Sequence, residues 1–142
     1  MKIARAETEA ARVACFAVRR AVFIEEQGIP EAEEWDAADA TCTHYLAAGD
    51  GCPMGTARLI ARDGEAKIGR VAVMADARGT GLGRALMLHV LEDARAAGFG
   101  TAVLESQVSV IGFYERLGFV AEGPEYDDGS GILHRLMRCP LA

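Results

Sequence analysis

The sequence predicts a mixed α/β protein, a mostly antiparallel sheet flanked by helices. Apolar and polar residues alternate on both sides of Asp63-Gly64. Alternation marks strands, and Asp-Gly marks a tight hairpin because Gly tolerates the positive φ such a turn demands. Two longer segments, one running from Thr8 to Ile24 and one from Gly83 to Ala97, instead carry apolar residues at helical spacing. A chain of 142 residues is about one domain, so 1–142 is expected to form a single unit. That size buries enough surface to fold without a disulfide or a metal.

Taken in order, Lys2–Ala6 reads as a short first strand. Thr8 caps a helix, with Glu9 in its first turn and Val13, Phe16, Ala17, Ala21 and Ile24 as its apolar positions. Gly28 and Pro30 stop it. Glu31–Thr43 is an acidic connection with room for one helical turn. His44–Gly49, Met54–Arg62 and Glu65–Met74 read as three antiparallel strands. Gly83–Ala97 follows as a helix with Leu86, Met87, Val90, Leu91 and Ala94 inward and Gly98 as its stop. A strand at Thr101–Glu105, a helix at Ile111–Leu117 and strands at Phe119–Ala121 and Ile132–Arg138 complete the sheet. The segment Glu122–Asp128 between the last two reads as a loop.

Composition narrows the function. No apolar run is long enough to span a bilayer. Met1–Arg5 lacks the apolar core of a signal peptide, which points to the cytoplasm. The net charge of −6 argues against a nucleic-acid binder, which needs a basic face. Cys15, Cys42, Cys52 and Cys139 form no C-x-x-C pair, and no His stands at zinc-finger spacing. Separate thiols and no metal are expected. The charges are uneven. Ala21 to Ala57 holds no Lys or Arg but carries Glu25, Glu26, Glu31, Glu33, Glu34, Asp36, Asp39 and Asp50. Arg58, Arg62, Lys67, Arg70, Arg78 and Arg84 crowd the segment that follows. Such runs are either solvated faces or the walls of two oppositely charged ligand sites.

The most informative segment is Arg78-Gly79-Thr80-Gly81-Leu82-Gly83-Arg84, between a strand and a helix. Glycines let successive backbone N–H groups turn toward one point. Those donors join the unpaired N–H groups of the helix N-terminus, where the dipole also favours an anion. Two adjacent phosphates suit that geometry, with Arg78 and Arg84 at its edge. A dinucleotide fingerprint would need Gly at position 84, which is Arg84, and no Gly-Lys-Ser/Thr of a P-loop is present. Spacing alone leaves a ligand-free glycine corner as an equal alternative.

Arg78–Gly83 matches the R-x-x-G-x-G signature of the GNAT superfamily of acyl-CoA N-acyltransferases. Val108–Phe119, with Phe113-Tyr114 and Gly118-Phe119, is similar to that superfamily's second signature. The strand order also agrees, so the resemblance spans nearly the whole chain. Val22-Phe23-Ile24-Glu25-Glu26-Gln27-Gly28-Ile29-Pro30, then Asp36, Asp39, His44 and a closing segment with His134, resembles a small bacterial subgroup of single-domain members. The chain departs from it at Leu133, where the subgroup usually has Pro.

The resemblance implies acetyl-CoA as co-substrate. Its pyrophosphate would lie on the backbone of Arg78, Gly79, Thr80, Gly81, Leu82, Gly83 and Arg84. Its pantetheine arm would pair with Val71, Ala72 and Val73 like an added strand, with one backbone N–H there stabilising the oxyanion. Tyr114 would protonate the departing thiolate. An alkyl amine has a pKa of about 10.4, so a base must help deprotonate it. Glu26, Glu105 and His134 are the candidates, and each could equally be an ordinary surface or sheet residue. Gln27, Glu34, Gln107 and His134 are candidate acceptor contacts. The function expected is N-acetyl transfer to a small, cationic primary amine. A non-catalytic acyl-CoA sensor is the alternative. No nucleic-acid or membrane partner is expected, and a homodimer is compatible with the sequence.

Overall fold

A computed structural model describes residues 1–141. Seven strands form one sheet in the order β1-β2-β3-β4-β5-β7-β6. They are β1 (Lys2–Arg5), β2 (Thr43–Gly49), β3 (Cys52–Arg62), β4 (Glu65–Val73), β5 (Thr101–Gln107), β6 (Val120–Asp127) and β7 (Leu133–Pro140). All neighbours are antiparallel except β4 and β5, which run parallel and pair only at Ala66↔Ala102 and Lys67↔Val103. A parallel pair needs a crossover, and helix α3 (Leu82–Ala96) supplies it. Among the described residues no helix is long and apolar enough to cross a membrane.

Local chemistry explains most of the elements. The Thr8 hydroxyl accepts the Ala11 N–H at 3.1 Å and caps helix α1 (Glu9–Arg19). Asp63 and Gly64 both have positive φ, 53° and 78°, which is the twist-matched hairpin turn. On α3 the expected stripe of Leu86, Met87, Val90, Leu91 and Ala94 is fully inward, packed on Ala57, Ile68, Ala102 and Met137 of the sheet.

The first helix buries a different face from the one expected. Val13 is 58% exposed, whereas Cys15, Val18, Arg19, Val22 and Phe23 are buried. Two causes shift the face. The buried stripe contains a charged residue, Arg19, so apolar spacing alone misses it. Beyond Arg19 the helix widens to a π-helical turn over Arg20–Glu26, closed by Gln27 N–H to Val22 O at 3.1 Å. That changes the angular step per residue and turns Val22 and Phe23 onto Ala72 of β4.

Strand β6 also departs from expectation. Glu122–Asp128 was expected as a loop, yet the strand continues to Asp127. It does so through an irregular register between Glu122 and Tyr126. Pro124 and the positive φ of Gly123 (76°) sit in that irregular stretch, where a strand tolerates them. The Arg135 guanidinium donates to Gly123 O at 2.8 Å and stitches it to β7.

Glu25, Glu33 and Asp50 stay exposed, but the rest of the acidic stretch folds onto basic residues. Arg19 binds Glu34 (2.9 Å) and Asp39 (2.7 Å), and Arg58 binds Asp36 (2.7 Å) and Asp39 (2.8 Å). Arg70 reaches Glu34 at 3.2 Å, and Arg20 pairs with Glu31. Short helices at α2 (Glu31–Glu34) and Ala37–Ala40 present these carboxylates. The hydrogen bond from Arg58 outweighs burial and holds Asp36 at about 2, below its ordinary 3.8. A carboxyl depressed in the folded state stabilises the fold above its ordinary pKa. That contribution should fade as pH falls from about 4 to 2. Acid titrations of the protein and of Asp36→Asn, followed by near-UV circular dichroism, should therefore converge at low pH.

Candidate active site

The parallel pair at β4 and β5 ends early, and that opens the site. Past Lys67↔Val103 the strands have no further pairs, so they splay. A cleft of about 500 Å³ lies between them, with Val22 and Phe23 of the π-helical segment and Gln27 at its C-terminal cap along one side. Between the pairs Thr56↔Ala72 and Arg58↔Gly69, β4 carries Arg70 and Val71 opposite the single Ala57. This bulge puts Arg70 at φ 49°, a left-handed conformation that costs a non-Gly residue free energy. The Arg70 guanidinium is held by the Glu34 carboxylate and carbonyl. Val71, Ala72 and Val73 line the cleft just beyond. Their β5-facing backbone groups have no strand partner, so an extended ligand can pair there.

The glycine-rich turn stands at one end. Gly79 and Gly81 have φ 76° and 87°, and a Cβ on either would meet nothing within 4 Å. Gly81 is the N-cap of α3, and no side chain caps that helix. The first intrahelical donor is Ala85 N, bonded to Gly81 O at 3.0 Å. The N–H groups of Leu82, Gly83 and Arg84 are therefore left to an external acceptor. The N-terminus of this 15-residue helix, open above two glycines, fits a pyrophosphate. Arg78 stands beside it. Its Nε donates to Val73 O at 3.0 Å, and its two terminal nitrogens grip the Glu26 carboxylate at 2.6 and 2.7 Å. The Arg78 hydrogen bond draws the Glu26 pKa below the usual carboxylate range.

Tyr114 lies at the open end of β5, on α4 (Ile111–Glu115). It lines the cleft and is 8% exposed. Its ring packs edge-on against Phe113 and Phe119, with centroids at 5.0 and 6.0 Å. Burial pushes its hydroxyl up to about 12, so it carries its proton at neutral pH.

The acceptor candidates gather at the other side. Gln107 donates to Gln27 at 2.9 Å and ties β5 to the π-helical segment. Glu105 meets Lys67 at 3.2 Å across the floor of the splay. Burial pushes the Glu105 pKa up, but the Tyr126 hydrogen bond and the Lys67 charge together outweigh it and leave it lowered. His134 lines the cleft beside Asp128 and Ser130. Glu34 is buried under Arg19 and Arg70, and desolvation raises its pKa. It lines the cleft with both guanidiniums on its carboxylate. No local motif marks Lys67, Arg70 or Tyr126: strand register and the bulge bring Lys67 and Arg70 to the cleft and Tyr126 to Glu105.

All four cysteines carry free thiols. The fold gathers Asp39, Cys42 and His44, with ligand-type atoms within 4.8 Å of one another. Arg19 and Arg58 already occupy the Asp39 carboxylate, and two guanidiniums there disfavour a further cation.

Comparison with known proteins adds to this geometry. YyaT of Bacillus subtilis is 34% identical over 140 residues, covering 96% of this chain and 94% of its own. An acyl-CoA N-acyltransferase from Pseudomonas aeruginosa superposes with a TM-score of 0.86 at 30% identity, covering 97% of each chain. An aminoglycoside 6′-N-acetyltransferase complexed with coenzyme A shares the fold at 14% identity and a TM-score of 0.76, covering 100% of this chain and 98% of its own. The model of the acetyltransferase (GNAT) family matches residues 8–119. That span encloses the splayed strands, the glycine-rich turn and Tyr114, and the chain belongs to that family.

Proposed function

We propose that this protein transfers the acetyl group of acetyl-CoA to a primary amine of a small, positively charged acceptor, within one ternary complex. The observation that carries this reading is the cleft itself. It has an amide-rich turn for an anion at one end and carboxylates with a histidine at the other. In this reading 1–142 works as one domain.

Acetyl-CoA supplies an activated acyl group on sulfur. The N–H groups of Gly79–Arg84 receive its pyrophosphate, while Val71–Val73 align its arm along β4. Glu26 holds Arg78 at the edge of that cradle, so its part is positioning. A freed N–H of β4 stabilises the oxyanion as the amine attacks. Tyr114 delivers a proton to the leaving sulfur. Lys67 and Tyr126 hold Glu105 ionised, and Lys67 balances its charge, so Asp128 makes the acceptor end negative. Acceptor charge thus meets Asp128 rather than the arginine-paired Glu31, Glu34, Asp36 and Asp39.

Gly81→Val tests the cradle. Valine at φ 87° is strained, and its side chain enters the space above the α3 amides. Calorimetry should show acetyl-CoA affinity reduced by more than about tenfold (~1.4 kcal/mol) in a protein with unchanged circular dichroism. Unaltered affinity in a folded variant would remove the turn from the site. Thiol release with a panel of polyamines, amino sugars and amino acids then tests transfer. Binding without release for every amine would favour a sensor of the same fold.

A further inference from the structure

We propose that His134 is the base that takes the acceptor's proton and that Asp128 seats the acceptor's ammonium group beside it. This assignment rests on the amine-transfer reading above.

His134 sits on β7, opposite Gln107 of β5 and Tyr126 of β6, and is 8% exposed. Its Nδ1 lies 2.7 Å from the carbonyl oxygen of Ile132. A carbonyl only accepts, so Nδ1 carries the hydrogen and the neutral ring keeps its lone pair on Nε2. Nε2 stands 3.5 Å from Asp128 Oδ2, and both residues line the cleft. Two acceptors that close, with no hydrogen between them, repel. A donor that reaches both relieves this, and a primary ammonium has three N–H groups to offer.

The pair is built in advance. Asp128 Oδ1 accepts from the Ser130 N–H (3.0 Å) and hydroxyl (2.5 Å). Asp127 Oδ1 accepts from the N–H groups of Gly129 (2.8 Å) and Gly131 (3.0 Å). The loop is thus closed on itself and leaves Oδ2 toward the imidazole. Burial raises the Asp128 pKa, but the Ser130 hydrogen bonds lead the effects that outweigh it and keep the carboxylate ionised. The rival bases are committed elsewhere, Glu26 to Arg78 and Glu105 to Lys67.

The step balances as follows. The ammonium gives one proton to Nε2, and Asp128 stabilises the resulting imidazolium. The neutral nitrogen forms the new N–C bond to the thioester carbon, and the C–S bond breaks. The proton that nitrogen loses on becoming an amide matches the one Tyr114 gives to sulfur. The imidazolium returns its proton to water.

The test uses two acceptors at about pH 9, butylamine, which is still protonated there, and hydrazine, which is mostly neutral. Thiol release is measured for the wild type, His134→Gln and Asp128→Asn, with acetyl-CoA binding by calorimetry as the control for folding. His134→Gln should cut kcat/KM for butylamine by about 100-fold but for hydrazine by less than about threefold, because hydrazine arrives without the proton. Asp128→Asn should raise KM for butylamine more than it lowers kcat. Equal losses for both amines would make His134 a structural residue and overturn the assignment, as would no loss for either. If wild-type protein binds acetyl-CoA yet acetylates neither amine, the amine-transfer reading falls and this assignment falls with it.

Discussion

Arg19→Met will lower the free energy of unfolding by about 3–5 kcal/mol. The Arg19 side chain is 1% exposed and Glu34 only 3%. Its guanidinium gives two hydrogen bonds to Glu34, one to the carboxylate and one to the carbonyl, both at 2.9 Å. Two more reach the Asp39 carboxylate at 2.7 and 3.0 Å. Its flat face lies 4.9 Å from the Trp35 ring centroid and 5.4 Å from that of Phe16. Methionine keeps much of the volume and loses every donor. Arg58 still faces Asp39 and Arg70 still faces Glu34, but Glu34 then has one cation where it had two. Removing one partner of a buried pair costs far more than replacing both, because a charge is left without compensation. Urea unfolding should show a lower midpoint at unchanged m-value, and Arg19→Met/Glu34→Gln should recover part of the loss. A change below about 1 kcal/mol would mean that Arg58 and Arg70 suffice without Arg19. Glu34 also braces Arg70 at the β4 bulge, so the cleft should loosen along with the fold.

Tyr114→Phe should reduce kcat by roughly 100- to 1,000-fold and leave the dissociation constant of acetyl-CoA unchanged. The ring contacts with Phe113 and Phe119 survive the change, so stability should hold. Only the proton donor disappears. Burial pushes the hydroxyl up to about 12, so the wild-type enzyme should show no loss of rate from tyrosine ionisation up to about pH 10. A fall in the kcat profile centred near the ordinary tyrosine pKa of about 10 would contradict the burial argument. Wild-type kcat in Tyr114→Phe would make the residue a packing aromatic.

Short-range chemistry was enough to read the hairpin at Asp63-Gly64, the Thr8 cap and the inward stripe of α3. Each depends on residues within a turn or two of one another. The same holds for the turn at Arg78–Arg84, whose backbone donors follow from glycine spacing and a helix start. Glu26, Glu34, Gln27, Gln107 and Glu105 were also recognisable as candidates, but their engagements were not. Glu26 meets an arginine 52 residues away, Gln27 meets a glutamine 80 residues away, and Glu34 lies buried under two guanidiniums. A carboxylate in sequence looks the same whether water or an arginine surrounds it.

Tertiary structure alone settled three things. The first helix turned a different face inward, because a charged residue can be buried once distant carboxylates neutralise it, and because a π-helical turn breaks the 3.6-residue period. β6 ran on through Gly123 and Pro124, because pairing with β7 outweighs local strand propensity. The cleft exists because β4 and β5 part after two paired positions. His134 meets Asp128 there through the loop that joins β6 to β7. Register and loop closure between remote segments produce these arrangements, and neither leaves a periodic trace along the chain.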